Sequence, residues 1–119
     1  MMMKEIKQIL SCREFSCCDD EQKVTTVCAS DLMSEVLLLA DAKSLIITNL
    51  VTLQAIRTAE MVESAGILFV RGKKPNRDMI ELAKKKEIPV FSTDLSMFEV
   101  CGLLYKEGLL NSGWKNDGN

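Results

Sequence analysis

Histidine is absent from the chain, there are two prolines, and aromatic residues make up 5% of it. Without histidine, nucleophile-base pairs of the Ser-His or Cys-His type have no base. A mixed cysteine-histidine metal site likewise lacks part of its ligand set. No G-x-G-x-x-G occurs, and although Gly66 and Gly72 flank an apolar run, no Gly-Lys-Ser/Thr follows, so a Walker loop and its phosphoryl-transfer machinery are missing. No apolar stretch approaches the roughly 20 residues of a membrane span. Fifteen basic residues stand against 17 acidic ones without a long run of either sign, which disfavours a nucleic-acid partner. Met1-Met2-Met3-Lys4-Glu5 leads into an acid-containing helical pattern and not into a continuous apolar segment. It does not read as a secretory signal, and the expectation is a cytoplasmic protein.

What is present is organised around Gly66-Ile67-Leu68-Phe69-Val70-Arg71-Gly72-Lys73-Lys74-Pro75. An apolar run ended by a basic turn predicts a short strand buried on both faces, followed by a helix that Pro75 opens. Similar units flank it. Leu45 to Thr48 precedes a turn at Asn49 and a helical pattern from about Thr52 to Glu63, while Ile88 to Ser92 precedes a turn at Thr93-Asp94 and a helical pattern from about Leu95 to Glu107. Three successive strand-then-helix units predict an α/β fold of three layers, a mostly parallel sheet with helices on both faces. Right-handed crossovers then bring the turns after all three strands to one edge of the sheet.

The remaining segments are read from the same periodicities. Met2 to Leu10 is an amphipathic helix, Cys12 to Cys18 a short strand, and Lys23 to Cys28 an extended segment rich in β-branched residues. Ser30 and Asp31 are N-cap candidates for a helix from about Leu32 to Ala40. That helix and the one from Leu95 are apolar on more sides than one contact can cover, which predicts a homodimer through both. Gly108 ends the last helical pattern, giving one domain over residues 1–108 and a flexible C-terminal tail over 109–119 around the isolated Trp114.

The shared edge carries the site candidates: Thr48 and Asn49 after one strand, Arg71, Gly72, Lys73 and Lys74 after the next, and Ser92, Thr93 and Asp94 after the third. Gly72 permits close backbone approach, helix N-termini favour anions, and Arg71 with Lys73 supplies charge, so the edge suits a phosphate-bearing or carboxylate ligand. The competing reading is an ordinary set of βα turns with Arg71 or Lys73 paired to Asp94. Arg57 and Glu60, three apart on a helix, read as a surface ion pair. Cys12, Cys17, Cys18, Cys28 and Cys101 include no C-x-x-C pair, so free thiols in a reducing compartment are favoured over a metal site or cluster. No cofactor is expected.

Four segments carry a resemblance: Ser30 to Leu37, Ile56 to Met61, Phe69 to Pro75 and Ser92 to Glu99. Together they resemble the stand-alone DRTGG-domain proteins of anaerobic bacteria, over about Cys12 to Gly108. The literal Asp-Arg-Thr-Gly-Gly string is missing, and Arg57-Thr58-Ala59-Glu60 is its nearest echo. DRTGG domains serve as regulatory pieces of pyrophosphatases and phosphate acetyltransferases, and are similar in fold to the N-terminal domain of HPr kinase and a domain of the Mur ligases. The resemblance implies a non-catalytic regulatory or interaction domain, with a protein partner in a redox or signalling assembly. The other readings are a small enzyme acting on a phosphorylated or nucleotide substrate, with Arg71 and Lys73 as clamps and Asp94 or Thr93 assisting, and a thiol sensor using Cys17 and Cys18.

Overall fold

A computed structural model of the chain describes residues 1–16 and 19–113. In chain order the elements are α1 (Met3–Ile9), β1 (Arg13–Ser16), β2 (Thr26–Ala29), α2 (Met33–Leu39), β3 (Leu45–Thr48), α3 (Leu53–Met61), β4 (Gly66–Phe69), α4 (Arg77–Lys85), β5 (Val90–Ser92), α5 (Met97–Lys106) and β6 (Leu110–Asn111). Successive side chains of a strand point to opposite faces, so an apolar run without polar alternation needs cover on both sides. Every residue of β3, β4 and β5 is buried, and the cover is supplied by two helical layers.

The strands form one sheet in the order β1-β5-β4-β3-β2-β6. All pairings are parallel except that of β1 with β5, at one edge. From β2 through β5 the chain steps across the sheet in one direction, so right-handed crossovers place α2, α3 and α4 on the same face. There Met33, Val36, Ala55, Ile56, Ala59, Met79 and Ala83 pack with Ile46, Ile67, Phe69 and Val90. Between β5 and β6 the chain steps back, and α5 crosses on the other face beside α1. Met3, Ile6, Val100 and Leu104 there meet Leu45, Ile47, Leu68 and Phe91.

The three-layer, mostly parallel architecture is the one the sequence predicts. Several local expectations need correction. Ser30 and Asp31 do not cap α2: its N-cap is Leu32, without a side-chain cap bond, because the Asp31 carboxylate is engaged at the end of β3. Ser30 Oγ accepts the Leu32 N–H at 3.1 Å in a local turn. Pro75 lies one residue before the cap of α4, which is Asn76, whose Oδ1 accepts the Met79 N–H. Glu60 pairs with Lys86 across the α3–α4 contact at 3.4 Å and not with Arg57. The two over-apolar helices, α2 and α5, lie on opposite faces of the sheet, so one face-to-face contact cannot bury both.

The segment from Leu109 divides. Leu109 is buried in the core, Leu110–Asn111 pair with β2, and Ser112 is buried. The Ser112 hydroxyl donates to the Leu39 carbonyl at 3.1 Å, accepts the Asp41 N–H at 2.6 Å, and meets Ser44 Oγ at 2.9 Å. Residues 109–113 therefore close the β2 edge of the domain; Trp114 and the rest of the expected tail lie outside the described residues. The reason is topological. A two-residue strand has too short a pattern to read, and only its pairing partner defines it.

A chain ended at Gly108 loses the buried Leu109 and leaves Ser44 and the Asp41 N–H without their Ser112 partner. We expect a loss of about 3 kcal/mol or more in urea unfolding, from cavity formation and unpaired polar groups. A chain ended at Gly113 keeps these contacts.

Candidate functional site

The C-terminal ends of β2, β3, β4 and β5 meet at one edge, where α3 and α4 begin. Their first turns are capped by Thr52 Oγ1 and Asn76 Oδ1, and their N-termini carry the positive ends of two helix dipoles. This edge collects all the predicted site residues: Thr48 and Asn49 after β3, Arg71, Gly72 and Lys73 after β4, and Thr93 and Asp94 after β5.

Several of them serve the turns themselves. Thr48 Oγ1 donates to Asp31 Oδ1 at 3.0 Å and accepts the Leu50 N–H at 3.0 Å. Thr93 Oγ1 donates to the Leu10 carbonyl at 2.7 Å and accepts the Leu95 N–H at 3.3 Å. Both hydroxyls are occupied. The expectation that backbone amides around Gly72 face a ligand is also corrected. The Arg71 and Gly72 N–H groups donate to the carbonyls of Leu95 and Thr93, each at 2.8 Å, lacing the β4 turn to the β5 turn. Gly72 is required there for another reason: its φ is +71°, and a Cβ would sit 3.2 Å from Asp94 Oδ1.

Arg71 is unusual in its own right. Its φ is +60°, a left-handed conformation that a side chain adopts at a cost. Of the other non-glycine residues of this kind, Ser11, Glu63 and Glu87 directly follow helix C-caps, where the left-handed region is a common stop, and Lys43 lies in the turn between α2 and β3. Arg71 follows a strand.

Among the described residues, neither Arg71 nor Lys73 forms an ion pair with Asp94; Lys73 Nζ instead donates to the Asn49 carbonyl at 3.2 Å. Arg71, Lys73, Lys74 and Asp94 are exposed. The Asn49 side chain donates through Nδ2 to Asp31 Oδ2 at 3.3 Å, and its Oδ1 is buried with no hydrogen-bond partner among the described residues. A buried acceptor left unpaired is a costly feature, and it belongs to the residue whose backbone carbonyl Lys73 contacts.

Asp31 is the residue that sequence reading placed elsewhere. It accepts from the Asn49 N–H at 2.7 Å as well as from Thr48 and the Asn49 amide. Burial pushes its carboxyl up, but these three bonds and the charge of Lys73 outweigh that and hold it below the usual carboxylate range. A lone aspartate before a helix reads as a cap, and only the parallel register of β2 on β3 shows that its side chain reaches the neighbouring turn.

The cavities are divided between the two ends of the sheet. A groove of about 280 Å³ between α1 and α5 reaches the candidate edge at Thr93, Asp94 and Leu95. A larger cavity of about 560 Å³ opens at the opposite edge, lined by Ser16, Asp19, Gln22, Ser64, Ala65, Lys84, Glu87 and Pro89. Two carboxylates against one ammonium, beside the C-terminal end of α4, make that cavity a poor host for an anion. Size and charge therefore point to different edges, and for an anionic ligand charge decides.

The described thiols are not set up as nucleophiles. Burial pushes Cys12 up to about 11 against the opposing charge of Lys7, and burial likewise raises Cys28 and Cys101. No group of three or more metal-ligating side chains occurs among the described residues. Cys17 and Cys18, the pair behind the thiol-sensor reading, lie outside them. Among the described residues no helix is long and apolar enough to cross a membrane.

The layered, mostly parallel sheet with helices on both faces places the chain in a class, the three-layer α/β domains. Comparison with known proteins narrows the fold. Among solved structures, the chain matches the CBS and DRTGG domains of the regulatory region of Clostridium perfringens pyrophosphatase, a structure complexed with its activator, diadenosine tetraphosphate. The TM-score is 0.70 with 18% identity over 87% of this chain. The match takes up 45% of that chain, so the protein spans less than half of that structure's length. The fold is thus DRTGG-like, as the sequence resemblance implies. No protein-family model matches the chain, and no curated protein matches it.

Replacing Asp31 by alanine removes three hydrogen bonds and leaves the Thr48-Asn49 turn unsupported; we expect a loss of about 1 kcal/mol, held low by the exposure of the site. The sign of the pH effect follows from the depressed pKa. The stabilisation is present above the unfolded aspartate value of about 3.9 and is lost as pH falls through the lower folded value. Urea midpoints of the parent and Asp31→Ala chains should therefore converge below about pH 4. A difference that persists unchanged there assigns Asp31 another role.

Proposed function

We propose that the chain is a non-catalytic regulatory domain that senses a phosphate-bearing ligand, of the nucleotide class, at the C-terminal edge of its sheet. The observation that carries this reading is Arg71: an arginine kept in a left-handed turn that glycine would adopt at lower cost, with no ion-pair partner among the described residues. Lys73 and Lys74 stand beside it, and the capped N-termini of α3 and α4 add positive potential. The unpaired Asn49 Oδ1 asks for a donor. A bare phosphate dianion supplies none, whereas the hydroxyls or ring amines of a nucleotide do. The regulatory assignment has support from the solved neighbour, a regulatory region complexed with a dinucleotide activator.

Within this reading Asn49, Arg71 and Lys73 contact the ligand, Thr48, Gly72 and Thr93 shape the turns, and Asp94 borders the site. The protein works in the cytoplasm as a homodimer, and ligand occupancy changes its contacts with a protein partner in a redox or signalling assembly. Such coupling requires that the two conformational or assembly states differ in ligand affinity.

A thermal-shift and calorimetric screen of nucleotides, acyl phosphates and sugar phosphates tests the reading. A ligand at about 100 times its dissociation constant should add about 2.7 kcal/mol of stability. Arg71→Gly separates fold from function: it relieves the left-handed strain, so stability should be equal or up to about 1 kcal/mol higher, while affinity falls tenfold or more, about 1.4 kcal/mol. Unchanged affinity in Arg71→Gly contradicts the site. Turnover of any of these compounds that Asp94→Ala removes would favour an enzyme instead.

A further inference from the structure

The outer face of α5 has a pattern that the monomer does not use. Val100 and Leu104 point into the core, and on the opposite side of the helix lies a stripe of Phe98, Gly102 and Tyr105, at spacings of four and three. Phe98 is 87% exposed and Tyr105 76%. Gly102, at the centre, has nothing within 4 Å of the position a Cβ would take. Glycine inside a helix costs about 1 kcal/mol relative to alanine, and with open space around it the monomer gives no reason for that choice. A second helix crossing at Gly102 does give one, since only the missing side chain lets two backbones approach closely.

We propose that α5 is the seam of a homodimer, two copies packing antiparallel across a two-fold axis at Gly102. This rests on the homodimer part of the functional reading and names its surface. The symmetry can be worked out from helical positions alone. At 100° per residue, Phe98 and Tyr105 lie on one flank of Gly102, and Glu99 and Lys106 on the other. A two-fold perpendicular to both helices keeps each flank opposite the same flank of the partner while reversing direction along the axis. Each Phe98 therefore faces the partner's Tyr105, and each Glu99 faces the partner's Lys106. The seam contains two aromatic pairs on one side, two opposite-charge pairs on the other, and glycine against glycine between them.

The complementarity is specific to the antiparallel arrangement: in a parallel pair the two-fold runs along the helices and swaps the flanks, setting each Glu99 against the partner's Phe98 and each Lys106 against the partner's Tyr105, so no opposite-charge pair forms. It also distinguishes α5 from α2, whose exposed Leu37 and Leu38 lie on the far face of the sheet and form an apolar patch without a glycine crossing point. The seam begins just after Thr93-Asp94, the β5 turn of the candidate site. Occupancy of that edge and dimerisation thus share one element, and each is expected to change the other's affinity by the same factor.

Sedimentation equilibrium of the full chain over a dilution series tests the seam. The parent protein should give twice the 13.3 kDa chain mass. Phe98→Glu and Gly102→Leu should each raise the dimer dissociation constant at least tenfold. Gly102→Leu gains helix propensity and meets open space in the monomer, so its circular dichroism should remain native. Lys106→Glu should weaken the dimer, and adding Glu99→Gln, which removes the like charge while keeping an acceptor for the Ser96 N–H of the capping box, should restore part of the affinity, a rescue that a merely destabilised helix would not show. A parent chain that is monomeric throughout overturns both the seam and the homodimer. A dimer that tolerates the α5 changes but is broken by Leu38→Glu overturns the seam and leaves the homodimer standing.

Discussion

Burial of both faces of β3 and β4 is the constraint on which the rest of the molecule depends. Two adjacent strands without an exposed side chain require helices above and below the sheet, and parallel pairing requires those helices to be the crossovers themselves. Once this is so, the chain has little freedom. Each strand must end at the same edge, each turn must open there, and helices α3 and α4 must begin there. The clustering of polar and charged residues at that edge is a result of core packing before it is a result of function.

The same geometry gives the two ends of the sheet opposite electrical character. At the C-terminal edge the helix dipoles present their positive ends, and Arg71, Lys73 and Lys74 add to them; Asp31 is spent within the turns, its carboxylate held by Thr48 and Asn49. At the N-terminal edge the cavity bounded by Ser64 and Pro89 faces Asp19, Glu87 and the end of α4, with Lys84 as the one basic side chain among its lining residues. Volume favours the second place, and charge favours the first for any phosphate. Arg71 shows that the first edge carries a cost the fold does not need, since the same turn could be made by a second glycine beside Gly72.

The sheet, its layers and the edge were legible because buried parallel strands and their following helices leave long, strongly patterned signals. Local terminations were less so. Asp31 looks like a helix cap in sequence, yet it bonds across to the β3 turn, and no pattern within its own segment encodes a partner 18 residues away. Leu110–Asn111 is too short for a strand signal and exists only through β2. Thr48 and Thr93 lie at the edge, but their hydroxyls point into the turns, an orientation that depends on the Asp31 carboxylate and the Leu10 carbonyl. Apolar excess on α2 and α5 was legible too, but their separation onto opposite faces follows from the reversal of direction between β5 and β6, which becomes visible only with β6 in place.

Amide-resolved nuclear magnetic resonance during titration with pyrophosphate tests the central claim most directly, because a simple phosphate anion probes the edge whatever the natural ligand is. Selective, saturable shifts at Asn49, at Arg71 through Lys74 and at Asp94 are the predicted result. Shifts centred on Ser64 and Lys84 at the other end of the sheet, or uniform small shifts without saturation, would contradict the assignment of the C-terminal edge as the recognition site.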